Sequence, residues 1–505
     1  MSSLITNLTT DQISQLSTYT LSILTSDDWA AFSTEQFQAL TTSQFTSLTT
    51  KAASFLTTED LSAVKTDDLR ALSTAGIHTF SSTQLNALGT DQFGSITTSQ
   101  ITALSTTQIQ ALHTDSVNAL STDKIGALTT GQVVSLTTDQ ITGLKTDSVN
   151  ALTSTQVRSL TSSEISALVT DQLKNLHTDP LQSLTSTQIL ALSSDQLHAL
   201  STDAVHALST LQFSALNSKQ LLGLSTDQVV ALTTDDVRAF TTAAFSSLST
   251  DQVNALGTDQ VRSMVTGEVA SLTTDQVSHL KTDDLNALTS SQVRAITTAD
   301  IAALTTDQLK SLHTDEVQAL SSNQMVAFGS DQVHALSTDA IHALSTPQFA
   351  AMTSKQLVGL TTDQVGALTT DNVRALSSAV LTALSTDQLN ALGTDQVRAL
   401  STSDMAALTT DQISHLKTDD LNALTSTQVR AITTADIAAL STDQLKSLHT
   451  DEAQALSSSQ VAALSSDQVH ALSTDDVHAL STLQFSALTS KQLVGLTTDQ
   501  VVALT

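Results

Sequence analysis

The fold is decided by Leu496 to Leu504, LTTDQVVAL, one eight-residue word led by the last letter of the word before it. The whole chain is written in that word. Every residue whose number is a multiple of eight, from Leu8 to Leu504, is Leu, Phe, Ile, Val or Met, without one insertion or deletion. So strict a period specifies an architecture, and it leaves no irregular place for a catalytic constellation.

Octad positions are numbered here by residue number modulo eight, with position 8 the multiples. Position 2 is always Ser or Thr, position 3 mostly Asp, and position 4 mostly Gln. Position 5 is apolar throughout, as in Ile13, Trp29, Phe37 and Val501, with only Ala53 and Ala453 small. Position 7 is usually Ala or Ser. A strand would send positions 5 and 8 to opposite faces, because its side-chain period is two. On a helix the two stand at i and i+3 and share a face. A Ser or Thr ahead of an acidic residue reads as a helix cap followed by a carboxylate that complements the dipole. This reading caps each helix at position 2 and runs it over positions 3 to 8. Pro347 at position 3 and Pro180 at position 4 then fall in the first turn, where proline is tolerated.

One continuous helix is excluded by the same count. Eight residues at about 3.6 per turn carry the apolar stripe roughly 80° round with each octad, so no fixed face survives. A helix of six residues does not stand alone, because nucleation is costly and only packing offsets it. The expected fold is therefore all-α: a solenoid of very short helices, one per octad, with positions 5 and 8 as a continuous apolar core. Small residues at position 7 let neighbouring helices approach. Positions 1, 3 and 6 face outward.

The chain has 505 residues, 40% hydrophobic, with aromatics at only 3% and a net charge of −29. It is too rich in Leu, Val and Ile for a disordered segment. Its charge argues against nucleic acid and anionic membranes as partners. The basic residues occupy positions 1, 3, 4 and 6 only, and eight arginines from Arg70 to Arg430 share position 6, which marks it as solvated. There is no cysteine, so neither a disulfide nor a thiolate-bound metal holds the fold. The start, MSSLITNLTTDQI, shows no basic region followed by an apolar stretch. No run of about 20 apolar residues reads as a membrane span.

A longer repeat lies above the octad. HLKTDDLNALTSSQVRAITTADIAAL at 279–304 returns as HLKTDDLNALTSTQVRAITTADIAAL at 415–440, seventeen octads on. The chain divides on this register into 1–136, 137–272, 273–408 and 409–505, all expected to be one continuous solenoid. The first unit is the most divergent. Trp29, Phe32, Phe37, Phe45 and Phe55 concentrate there, as expected of a terminal cap or, alternatively, a docking end. The last unit stops mid-pattern at Thr505, which leads us to expect a longer parent protein or an end covered by another copy.

Three residue patterns suggest chemistry, and simple repetition accounts for each. The pairs His198/His206, His334/His342 and His470/His478 stand one octad apart at position 6. They suggest metal sites or pH sensors, but no other ligand type joins them, and copying with the long repeat accounts for them. Asp at position 3 resembles a calcium array without the glycine-rich loops such arrays need. Gln at position 4, at the edge of the apolar face, suits a ladder of hydrogen bonds between octads. Thr ladders suit ice binding, but position 2 is engaged as the cap and position 1 is interrupted by Lys, His, Gly and Val. No catalytic, cofactor-binding or metal-ligating residue is expected, and no cofactor.

LSTDQVVAL at 224–232 and LTTDQVVAL at 496–504 resemble the opening of a transcription-activator-like effector repeat. The resemblance ends after nine residues: the period here is far shorter, the base-reading pair is absent, and the charge is wrong. More broadly, the LxTDQVxA octapeptide is similar to the long, repetitive surface proteins of Gram-negative bacteria, adhesin-like or of haem-utilisation type. That resemblance implies a non-enzymatic extracellular or cell-surface protein: a filament subunit, stalk or adhesin. Its partners are expected to be further copies, end to end or laterally, or a cell-surface or host partner. The alternatives are a binding module whose groove holds a ligand or protein, and a β-rich fibril, which circular dichroism distinguishes. Leu304→Asp tests the inward placement of position 8. An unpaired buried charge should cost roughly 3–5 kcal/mol, and an unchanged melting temperature would place position 8 outside.

Overall fold

The computed structural model describes residues 3–504. Every described octad from residue 9 onward holds one helix of four to six residues, from Thr10–Ser14 to Thr498–Val502, and among the described residues there is no strand. The expected all-α solenoid of very short helices is what the chain forms.

The octad 97–104, TTSQITAL, shows how one word folds. Thr97 is extended, and its carbonyl accepts the first helical bond, from the Ile101 N–H at 3.0 Å. The Thr97 hydroxyl accepts the Gln100 N–H at 3.2 Å, and the Gln100 side-chain oxygen accepts the Thr97 N–H at 2.9 Å. These reciprocal bonds are a capping box, which needs its two members three residues apart. Positions 1 and 4 meet that spacing. Position 2 does not, because three residues on lies the apolar position 5. The cap is therefore position 1, one residue before the expected place, and the helix runs from position 2 to position 5, 6 or 7 rather than 3 to 8. Pro347 and Pro180 accordingly stand second and third in their helices, Thr346–Ala351 and Thr178–Ser183. Pro180 removes the N–H that a cap would accept, and His177 before it makes no side-chain cap bond.

Helix exits are equally regular. The position 8 residue is extended, as at Leu304 (φ −57°, ψ 136°), and turns the chain toward the next cap. No described residue has a positive φ. The usual left-handed glycine exit is replaced by an extended apolar residue anchored in the core. Ile101 and Leu104 are buried, as are their counterparts through almost the whole chain. Each fully buried Leu, Ile or Phe contributes about 1.5–3 kcal/mol relative to exposure, which offsets the nucleation cost that a helix this short cannot meet alone.

The chain divides into two compact units, Met1–Leu256 and Gly257–Thr505. In each, a helix packs against the helix three places further on, as Thr98–Thr102 does against Thr122–Ala127 and Thr402–Ala407 against Ser426–Ala431. Hydrogen bonds also reach four octads back, over 28 and 31 residues. A superhelical turn thus takes between three and four octads, a number the octad word alone does not contain.

Positions 2 and 7 meet between turns. A Cβ on Gly223 would lie 2.9 Å from the Ser194 carbonyl oxygen, and one on Gly495 3.2 Å from the Ser466 Cβ. The expected close approach at position 7 is real, and its counterpart is the small residue at position 2 three octads earlier.

Candidate functional site

The polar side chains of the repeat converge on one feature, a seam of buried glutamines joining successive turns. Gln100 is only 1% exposed. Its side-chain oxygen serves the cap of its own octad, as above. Its Nε2 donates to the carbonyls of Leu69 at 2.8 Å and Leu72 at 2.7 Å, in the octad four places back. Gln132 repeats this toward Ile101 and Leu104, both at 2.8 Å. In the second unit Gln308 does so toward Val277 and Leu280, and Gln460 toward Val429 and Ile432. The expected glutamine ladder exists, but its rungs run from amide to backbone, not from glutamine to glutamine. Gln fits because it carries an acceptor and two donors on one rigid group.

A second set of bonds clips the seam from outside. Position 6 side chains reach the position 7 carbonyl three octads on, 25 residues away. His78 Nδ1 lies 2.7 Å from the Ala103 oxygen, His206 2.9 Å from Ala231, and Arg294 Nε 3.2 Å from Ala319. A carbonyl can only accept, so the proton of each such imidazole sits on Nδ1. Position 6 is exposed, as expected, but it is also engaged. Asparagine does more here. Asn86 Nδ2 donates to the Ala111 carbonyl at 2.8 Å, while its Oδ1 accepts the His113 N–H at 2.9 Å. Asn118 treats Gly143 and Lys145 alike, and Asn422 treats Ser447 and His449 alike. In these octads position 1 is Lys or His, position 4 is not Gln, and the Asn one turn earlier takes over the cap N–H. The signal was in the sequence, as Asn at position 6 with Lys or His 27 residues later, but its meaning required knowing that those positions face each other.

Comparison with known proteins bears on the repeat itself. The ALTTAQ repeat matches residues 61–98, 94–130, 123–154, 175–210, 205–234, 229–266, 277–314, 311–346, 341–378, 370–402, 413–450, 445–474 and 469–505. The chain belongs to the ALTTAQ repeat family. Each match spans about four octads, close to one turn of the seam. No curated protein matches the chain. Among solved structures, a chain of a homology model of the full-length AP-3 complex in an intermediate open conformation is similar at 11% identity and a TM-score of 0.21, over 97% of this chain and 85% of that one. A second, APUM23-GGAAUUGACGG, is similar at 11% identity and a TM-score of 0.16, over 99% and 92%. At such scores the backbone paths diverge, and nothing about this chain follows from them.

Within the ALTTAQ octads, departures from Gln show what the seam requires. Lys124 keeps the donor half, giving its Nζ to the Gly94 carbonyl, and burial lowers its ammonium pKa. Glu164 keeps the acceptor half: its Oε2 takes the Thr161 N–H at 2.5 Å, while Oε1 is buried without a partner. Asp284, Glu316, Asp420 and Glu452 follow Lys or His caps, and each has one buried carboxyl oxygen without a hydrogen-bond partner. Burial pushes all four carboxyls above their ordinary range, against the pull of Lys281 and Lys417 on the aspartates and His313 and His449 on the glutamates. His313 Nδ1 stands 3.9 Å from Glu316 Oε2, and His449 Nδ1 4.0 Å from Glu452 Oε2.

The other candidate residues are placed plainly. His198, His206, His334, His342, His470 and His478 each point Nδ1 at a carbonyl of the next turn. Among the described residues no group of three or more His, Asp or Glu is placed to hold a metal ion. Asp at position 3 is exposed, and the pairs Asp307–Lys310 at 3.4 Å and Asp371–Arg374 at 2.9 Å lie in solvent, where such pairs contribute little. Among the described residues no helix is long and apolar enough to cross a membrane.

Replacing Gln100 by Leu strands the Thr97 N–H and the Leu72 carbonyl and leaves the Leu69 carbonyl only the Leu72 N–H. It should lower unfolding stability by about 3 kcal/mol in urea titration, and a loss under a few tenths would show the seam to be incidental. The raised carboxyls fix the sign of the pH response. The native state holds these protons more tightly than the unfolded chain, so their contribution is full below the ordinary carboxylate range and is lost as pH rises through their raised values. The melting temperature should therefore climb as pH falls from 7 toward that range. Asp284→Asn/Asp420→Asn should flatten the climb, whereas the equally charged control Asp331→Asn/Asp467→Asn, at exposed position 3, should not.

Proposed function

We propose that this ALTTAQ repeat chain is a non-enzymatic structural protein, a filament subunit, stalk or surface adhesin of a bacterium, exposed outside the cell. The observation that carries this reading is where the repeat spends its polar groups. Positions 1, 4 and 6 are committed to caps and to bonds between turns. Each turn thus offers the next the same carbonyls that it bonded in the turn before. Such a seam extends by copying, which is what a protein selected for length needs, and the seventeen-octad units 137–272 and 273–408 are the record of that copying. An acidic exterior, at a net charge of −29, suits solubility at high local density. The partners in this reading are further copies of the chain, or a host or cell-surface molecule, and neither nucleic acid nor a membrane span is involved.

Electron microscopy of the purified chain across a concentration series tests the filament role. Filaments that lengthen with concentration are expected. Discrete particles at every concentration would favour the second reading, a solenoid binding module.

A further inference from the structure

The seam has one full interruption. Octads 49–56, 57–64, 65–72 and 73–80 carry Ala52, Asp60, Asp68 and Gly76 at position 4. Between three and four octads make a turn, so a whole turn crosses to its predecessor without a single position 4 glutamine. From residue 33 to 504 no other run of more than two octads lacks Gln. The parts on either side are stapled internally. Gln36 and Gln44 tie their octads to Ile5, Leu8, Ile13 and Leu16. Stapling resumes with Gln84 on Leu56 and Gln92 on Leu61 and Val64.

What crosses the gap is different in kind. Thr42 Oγ1 donates to Asp68 Oδ1 at 2.7 Å, Lys65 Nζ to the Gln38 carbonyl at 2.7 Å, and Gln38 Nε2 to the Ala63 carbonyl at 3.3 Å. The Lys65 and Gln38 side chains are exposed and compete with water for these bonds, unlike the buried amide of Gln100. The segment ahead of the gap is held by packing instead. Trp29 stacks on Phe32 with centroids 5.2 Å apart, and Phe37 meets Phe45 edge-on at 5.7 Å. The Trp29 indole N–H is itself buried without a hydrogen-bond partner.

We propose that residues 3–48 form a separately opening segment, released from the rest of its unit at the unstapled turn while the remaining helices stay folded. Opening would uncover the apolar side chains of octads 49–80 without cost to the seam beyond them. The device is local because stability in a solenoid is a sum of neighbour terms, and here one polar term is missing.

Trp29 is the chain's single tryptophan and is fully buried, so its emission reports this segment, whereas far-ultraviolet circular dichroism reports every helix. In urea titrations of the full chain, the Trp29 emission should shift to the red at a lower midpoint than the dichroism change. Ala52→Gln/Asp60→Gln restores two staples at octads whose caps, Thr49 and Thr57, already suit Gln. It should bring the two midpoints together. Coincident midpoints in the unaltered chain would overturn the proposal, as would an early Trp29 transition that the double variant leaves unchanged. Trypsin supplies a readout independent of the variant. Cleavage at Lys51 should precede cleavage at the remaining basic sites, and a Lys51 bond that outlasts them would refute the opening.

Discussion

The structure depends on one primary amide per octad satisfying two obligations at once. A six-residue helix leaves most of its backbone groups unpaired, and stacking such helices buries many of them. Gln at position 4 bonds the first N–H of its own octad and the last carbonyls of an octad one turn earlier, as Gln100 does between Thr97 and Leu72. Local helix initiation and long-range stacking thus share one side chain, and neither is complete without it. That coupling lets helices far below the length of independent stability persist through the chain.

The seam tolerates substitution in proportion to how well a replacement meets both duties. Lys124 supplies a donor, Glu164 an acceptor, and the asparagines at position 6 supply both from one turn earlier. Aspartates after Thr or Ser caps, such as Asp60, keep the local bond but have no N–H to give the carbonyls one turn earlier; Asp404 and Asp436 instead accept the hydroxyls of Ser378 and Thr410. Where neither duty is met, as at Ala52 and Gly76, no side-chain amide at position 4 joins the octad to the turn before it. The histidines belong to the same economy. Their recurrence in pairs looks like a ligand pattern in the sequence, yet each Nδ1 is occupied by a backbone carbonyl.

Much of this was legible in the word LTTDQVVAL. The parity of positions 5 and 8 established helix against strand, and their invariance established that every octad contributes apolar side chains to a core. The small residue at position 7 announced close approach. Local pattern places the cap one residue late, because Ser or Thr fills both positions 1 and 2. Position 2 is invariant, whereas position 1 varies because Asn86 or its counterparts can stand in for the local box.

The sequence by itself determined the all-α class, one short capped helix per octad and the face each helix buries, because these rest on interactions within eight residues. Only tertiary structure decided that a turn closes after three to four octads, that Gln reaches back 28 and 31 residues, and that position 6 clips a carbonyl 25 residues ahead. Those spacings follow from the angle at which extended position 8 residues hand one helix to the next. That angle is set by how whole side chains pack around the axis, and no local pattern of residue types encodes it.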